Sequence, residues 1–248
     1  MKVSRLVRMS AWVLSMVCSA QAMSDEVNVA VAANFTAAMK EVAQAFEAKT
    51  GHKAVLSFGS TGKLYAQIVH GAPFGVFLAA DQARPRKLVD DGQADREFTY
   101  ATGKLVLWSK QADLIKDSAD VLKGGDYKRL AIANPKTAPY GAAAMQVLES
   151  LGLAASAMPK LVRGDSIAQT HQFVATGNTE LGFVALAQVV LDESGSRWVV
   201  PQDLYDPIRQ DAVLLSKGEG QPAAIALMDY LKSDEAKAII ERYGYGLD

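Results

Sequence analysis

Along the chain, apolar positions switch repeatedly between a period of two and a period of three to four. "VNVAVAA" (Val27–Ala33) alternates as a strand does, and Phe35, Ala38, Met39, Val42, Ala43 and Phe46 then fall on one helical face. Gly51 is placed to close that helix as the left-handed residue beyond its end. "KAVLSF" (Lys53–Phe58) predicts a second strand, Leu64, Ile68 and Val69 a helix ending near Gly71, and "GVFLAA" (Gly75–Ala80) a third strand. Asp81 leads from that strand into a helix around Arg84–Asp91. The pattern then starts again, with strands at "GKLVLWS" (Gly103–Ser109) and "RLAIANP" (Arg129–Pro135) and a helix at "GAAAMQVLESLG" (Gly141–Gly152). A helix over Ser166–Val174, strands at "ELGFVAL" (Glu180–Leu186) and "DAVLLS" (Asp211–Ser216), and helices over Pro222–Lys232 and Ser233–Arg242 complete it.

Strands alternating with helices predict an α/β fold with mostly parallel sheets. Two such groups of similar size occur, with no Gly/Ser-rich tether between them. Two domains joined by paired strands fit that absence, and "GKLVLWS" and "DAVLLS" are the expected crossings. Leu105–Trp108 and Val213–Leu215 should then run side by side between the domains.

The first residues change the picture of location. Lys2, Arg5 and Arg8 precede the short apolar run Ala11–Val17 and the small-residue box Ala20-Gln21-Ala22, the pattern of a secretory signal cut after Ala22. The only cysteine, Cys18, leaves with it, and Val17 is bulkier than lipoprotein processing takes before the anchor cysteine. The exported product is expected to carry no disulfide and to be soluble. It also loses three basic residues and no acid, so the mature chain is net acidic and ill suited to nucleic acid or an anionic membrane.

Candidate chemistry lies in four loops that each lead into a helix: Ala33-Asn34-Phe35-Thr36, Gly59-Ser60-Thr61-Gly62, Thr137-Ala138-Pro139-Tyr140-Gly141 and Asp165-Ser166-Ile167. Helix N-termini carry unpaired N–H groups and a partial positive charge, and so attract anions without lysine or arginine. The second loop, with Lys63, imitates a nucleotide-binding loop. It lacks the required glycine, having Ser57 there, and the required hydroxyl, having Leu64. Taken singly, Ser60, Thr61 and Ser166 read as helix caps, and so do Asp81 and Asp165. His52, His70 and His171 read as scattered surface residues without metal-ligand spacing, and Trp108 and Trp198 as packing residues. No nucleophile elbow or zinc-binding histidine pair occurs. A secreted serine hydrolase using Ser60 or Ser166 would lack an evident base.

"VAVAANFTAAMKEVAQAFE", "SFGSTGKLYAQI", "GAPFGVFLAADQ", "IANPKTAPYGAAAMQVLESLG" and "MDYLKSDEAKAIIERYGYG" together resemble the periplasmic molybdate-binding proteins, the soluble receptors of ABC importers. The likeness spans nearly the whole mature chain. It implies a two-lobed periplasmic binding protein fold of type II, with lobe 1 in 23–104 and 211–248 and lobe 2 in 105–210. It further implies a monomer with no cofactor, no enzyme activity and no metal cation, which takes molybdate and tungstate and delivers them to a membrane permease. Carried over by that resemblance, the oxyanion-binding residues are Asn34 through its amide, Thr61 with Ser60 beside it, Tyr140 through hydroxyl or N–H, and Ile167 through its N–H. Some relatives donate a tyrosine hydroxyl from the segment matching "GFVALAQ"; Ala185 stands there, and Tyr140 would replace that donor from across the pocket. Sulfate or another tetrahedral oxyanion is the alternative ligand. Lys63 is expected to point its ammonium into solvent.

Overall fold

The computed structural model describes residues 25–247. The signal segment 1–22 and Cys18 lie outside the described residues.

The chain opens with β1 (Glu26–Ala32), a single 3-10 turn and α1 (Thr36–Thr50), then β2 (Lys53–Gly59), α2 (Thr61–Val69), β3 (Val76–Leu78) and α3 (Ala83–Asp90). Gly51 ends α1 at φ 75° and donates its N–H to Glu47 O, the left-handed closure read from the sequence. The polar-rich segment β4 (Ala94–Gly103) carries no clean alternation and is missing from the expected strands; it is an edge strand, where one face meets water. One residue, Lys104, separates it from β5 (Leu105–Ser109). There follow α4 (Asp120–Gly124), β6 (Leu130–Ala133), α5 (Pro139–Ser150), α6 (Ala154–Ala157), β7 (Leu161–Gly164), α7 (Ile167–Ala175), β8 (Leu181–Ala185) and β9 (Ser196–Val199). The chain then returns through β10 (Ile208–Leu215), α8 (Pro222–Tyr230) and α9 (Asp234–Arg242). Ser233 caps α9 by accepting from the Ala236 N–H. Among the described residues no helix is long and apolar enough to cross a membrane.

The strands form two five-stranded sheets with the same plan, β2-β1-β3-β10-β4 and β7-β6-β8-β5-β9. In each, three strands run parallel, and the fourth place is held by a strand antiparallel to both its neighbours. This corrects the expected crossings. Leu105–Trp108 lies inside the second sheet, opposite Ala185–Gly182, while Val213 lies inside the first, opposite Phe77. Wholly apolar runs need cover on both faces, which a sheet interior provides and a narrow hinge does not. The links that cross are Gly103–Leu105 and the return over 200–208. They are paired: Ile208 stands opposite Gly103, the Val200 N–H donates to Leu105 O (3.1 Å), and the Leu105 N–H donates to the Tyr205 hydroxyl (3.0 Å).

In lobe 1, Val27 and Val29 on one sheet face cluster with Phe35, with Met39 and Phe46 of α1, with Leu227 of α8 and with Ile240 of α9. On the other face, Phe77 clusters with Leu64 of α2 and Leu88 of α3. Burying each of these large side chains is worth about 1.5–3 kcal/mol. The lobe 2 core, built on Leu107, Ile132, Leu148 and Phe183, extends to Ala32, Ala33 and Ala80 of lobe 1, so the lobes share apolar contact. Trp108 and Trp198 are packing residues, as read. His171 is not a free surface histidine: its ring stacks on Trp108 at 4.9 Å, and burial lowers its pKa.

Candidate anion-binding site

Helix α1 follows β1, α2 follows β2, α5 follows β6 and α7 follows β7, so four helices start at the carboxyl ends of strands facing the gap between lobes. Alanines line this side of the two sheets: Ala32, Ala33, Ala79, Ala80, Ala133, Ala138 and Ala185 are all buried. Small side chains there leave the helix starts uncovered. The structure connects the five predicted positions: Gln210 bridges Asn34 to Tyr140, Tyr140 shares a cluster with Ile167 and Ala80, and the Ala80 N–H bonds Thr61, next to Ser60. Asn34, Ser60, Thr61, Tyr140 and Ile167 are each between 1% and 4% exposed, and Ala33, Ala80, Ala138, Tyr140 and Ile167 share one cluster.

Each loop has its own local logic. Ser60 is extended at the N-cap of α2 (φ −68°, ψ 142°), yet its hydroxyl caps nothing. Its Oγ is buried without a hydrogen-bond partner, as is Oγ1 of Thr137 on the facing loop. Such atoms are costly to leave unpaired. Thr61 Oγ1 accepts from the Ala80 N–H (3.0 Å), which leaves its proton to donate. At α5, Pro139 holds the first helical position, so the Tyr140 N–H is the first donor of that helix. At α7, Ile167 holds the first position, and Gln188 Nε2 donates to its carbonyl (3.2 Å), steadying the turn. Ser166 is the cap, accepting from the Gln169 N–H (3.3 Å).

Three expected roles change. Asp165 is not the cap, because Ser166 is the extended residue next to the helix; the Asp165 carboxylate instead meets Lys63 Nζ at 2.9 Å across the gap. Lys63 therefore pairs between lobes rather than pointing free into solvent. The Asn34 amide is also engaged elsewhere, donating to Gln210 Oε1 (2.8 Å) and to the Tyr245 hydroxyl (3.0 Å). Both amide hydrogens are used, and what Asn34 has left for an anion is its main-chain N–H in the first turn.

Among the described residues the only buried charged side chain is Asp211, which accepts from Thr99 and Gln82. No lysine or arginine is buried among the helix starts. An anion here would be met by hydroxyls and four helix dipoles, each worth about 0.3–2 kcal/mol. Two clefts flank the helix starts. One, of 320 Å³, is lined by Asp81, Arg84, Pro139, Gln146 and Arg209; the other, of 530 Å³, by Asn34, Thr36, Ser166, His171 and Gln188.

The lobes touch along one rim. The Gly62 N–H donates to Thr137 O (2.8 Å), Lys63 pairs with Asp165, and Arg84 donates to Lys136 O (3.1 Å). The Lys63 and Asp165 side chains are 50% and 71% exposed, so water and salt weaken their pairing. Lys63→Ala is expected to reduce anion affinity by less than about fivefold, the worth of an exposed ion pair. Calorimetric titration at low and high salt checks this, and the difference should vanish at high salt.

Sequence reasoning missed Gln210, Tyr100, Tyr245 and Gln188. Gln210 stands just before the expected strand Asp211–Ser216, and the structure places it within β10, so nothing local marked it. The tyrosines carry no local sign of their partners.

This architecture, two α/β lobes with helix starts facing the gap between them, is that of a solute receptor. The chain belongs to the bacterial extracellular solute-binding protein family, whose model matches residues 27–246. Within that family it is similar to the molybdate-binding protein ModA of Azotobacter vinelandii, with 61% identity over 93% of this chain and 92% of the relative. ModA of Rhodobacter capsulatus is 52% identical over 95% of this chain and 94% of its own. The solved periplasmic molybdate-binding protein of Azotobacter vinelandii superposes with a TM-score of 0.86 at 42% identity, covering 90% of this chain and 99% of that one. The sulfate-binding protein SubI of Mycobacterium tuberculosis shares the fold alone, with a TM-score of 0.72 at 12% identity over 89% of this chain and 86% of that one.

Proposed function

We propose that this protein is the monomeric periplasmic receptor of an ABC importer and carries molybdate, with tungstate accepted alongside, between its lobes. The observation that carries the reading is the buried, partnerless Ser60 hydroxyl within a convergence of helix starts where no cationic side chain is buried. The ligand groups are Ser60 and Thr61 from lobe 1 with the Asn34 N–H, and Tyr140 and the Ile167 N–H from lobe 2. Lobe 1 is read as 23–104 and 211–248 and lobe 2 as 105–210, with the last residues of that span, Ile208–Gln210, already paired into the sheet of lobe 1. A dianion touching both lobes stabilises the closed arrangement through contacts that the open one lacks, which is the basis of hinge closure.

Donors alone suit a fully deprotonated oxyanion. Monohydrogen phosphate would bring a proton with no acceptor to meet it, and burying that mismatch costs affinity. Nucleophilic chemistry at Ser60 finds no support, since its Oγ is bonded to no base.

Molybdate at about 100 times its dissociation constant should stabilise the protein by roughly 2.7 kcal/mol. A thermal-unfolding series with molybdate, tungstate, sulfate and phosphate tests this. Shifts are expected with the first two and little change with the others. A strong shift with sulfate and none with molybdate would make it a sulfate receptor.

A further inference from the structure

The polar groups behind the site form one chain whose direction is set at its first link. The Tyr245 hydroxyl lies 2.9 Å from Asn34 O, a carbonyl that can only accept, so Tyr245 spends its single proton there. Its oxygen is then left to accept from Asn34 Nδ2 at 3.0 Å. The other Nδ2 hydrogen goes to Gln210 Oε1 at 2.8 Å, an oxygen that also lies 3.1 Å from the Tyr100 hydroxyl, whose proton is shared with Ala79 O at 3.0 Å. With its oxygen facing Asn34, Gln210 must turn Nε2 toward lobe 2, where it donates to the Tyr140 hydroxyl at 3.2 Å. The Tyr140 oxygen is occupied as an acceptor, and its proton is left to point away. Burial, together with the neighbouring Tyr245, holds the Tyr140 phenol well above the ordinary tyrosine range despite the Gln210 amide, so that proton stays on it.

We infer that Gln210 is a specificity-determining residue: by donating to the Tyr140 hydroxyl from behind, it makes Tyr140 a donor only, and so favours unprotonated oxyanions over protonated ones. Gln210 is fully buried on β10 beside the lobe crossing, and reaches both the Asn34 loop of lobe 1 and Tyr140 of lobe 2. Tyr140 is seated close to the crossing as well, since a Cβ on Gly103 would collide with its hydroxyl. The hydroxyl therefore has little freedom to escape its partner. At Thr61 the Ala80 N–H likewise engages one lone pair of Oγ1 and leaves its proton to donate. The inference rests on the oxyanion reading above and names what sets its discrimination.

The test is a double-mutant cycle of Gln210→Met and Tyr140→Phe, with calorimetric titration of molybdate and of phosphate. Gln210→Met should weaken molybdate binding about tenfold when Tyr140 is present, the worth of one hydrogen bond to a charged group, and should narrow the preference over phosphate. In the Tyr140→Phe background it should change neither. Tyr245→Phe, which breaks the chain at its source, should reproduce a smaller loss that likewise depends on Tyr140, and it provides the cycle if Gln210→Met does not fold. Equal losses with and without Tyr140, or an unchanged preference over phosphate, would overturn the inference by reducing Gln210 to a packing role. If the wild-type protein responds to sulfate alone, the cycle is run with sulfate; the molybdate assignment then fails while the role of Gln210 is still decided.

Discussion

Ser60→Ala is expected to lower molybdate affinity by roughly 1.5–3 kcal/mol, the loss of one hydrogen bond to a buried charge, while leaving the free protein as stable as before or slightly more so. The asymmetry follows from its surroundings. Ser60 Oγ has no protein partner, so removing it takes nothing from the unliganded fold and spares it an unpaired buried atom. Thr61→Val should behave differently. It deletes a comparable donor, and it also strips the Ala80 N–H of the oxygen it donates to inside the protein. That variant should lose affinity on the same scale and a further ~1–3 kcal/mol of stability, whereas Thr61→Ser should lose little of either. Denaturant unfolding without ligand, set beside calorimetric titration, separates the two. A stability loss in Ser60→Ala equal to that in Thr61→Val would mean that Ser60 is an ordinary structural hydroxyl.

Gly62→Val is expected to be the most damaging single change to binding that touches no ligand group. A Cβ at Gly62 would stand 3.0 Å from Thr137 Cα and 3.1 Å from Thr137 O, which is backbone that cannot swing aside. The Gly62 N–H also donates to that same carbonyl, so the closest approach between lobes depends on the absence of a side chain. Overpacking of this kind costs about 1–3 kcal/mol, and here it falls on the closed arrangement alone, reducing affinity roughly ten- to more than a hundredfold. Small-angle scattering should show the wild-type protein compacting on molybdate and the variant failing to do so. An unchanged affinity in Gly62→Val would remove lobe closure from the binding mechanism. Lys63, its neighbour, contributes far less, because an exposed charge pair can separate into water whereas two backbones cannot share a volume.

Gly62 and Lys63 join lobe to lobe, and the proposed ligand groups Ser60 and Thr61 stand at the same start of α2. One rigid turn thus couples anion contact to closure. In the binding mechanism proposed above, an anion that cannot pull this turn inward gains neither set of contacts.

Much was legible in the residues alone. The alternation in Val27–Ala33, the glycine closing α1, and the four loops opening helices follow from local periodicity and from capping chemistry, which act over a few residues. The five candidate residues are carried by those loops and by resemblance, and the fold places them together. What could not be read was any partnership between distant segments. "GKLVLWS" and "DAVLLS" are equally apolar, and nothing within either says which sheet will cover both its faces. Asp165 has the chemistry of a cap, but its neighbour has the extended backbone, and Lys63 becomes its partner only when the lobes meet. Asn34 offers an amide that could serve an anion, and Tyr245, 211 positions away, takes part of it. The local sequence determined which groups can donate and where helices begin. Tertiary structure alone decided which of those donors remain free, because a hydrogen bond is claimed by whichever acceptor the fold brings within about 3 Å.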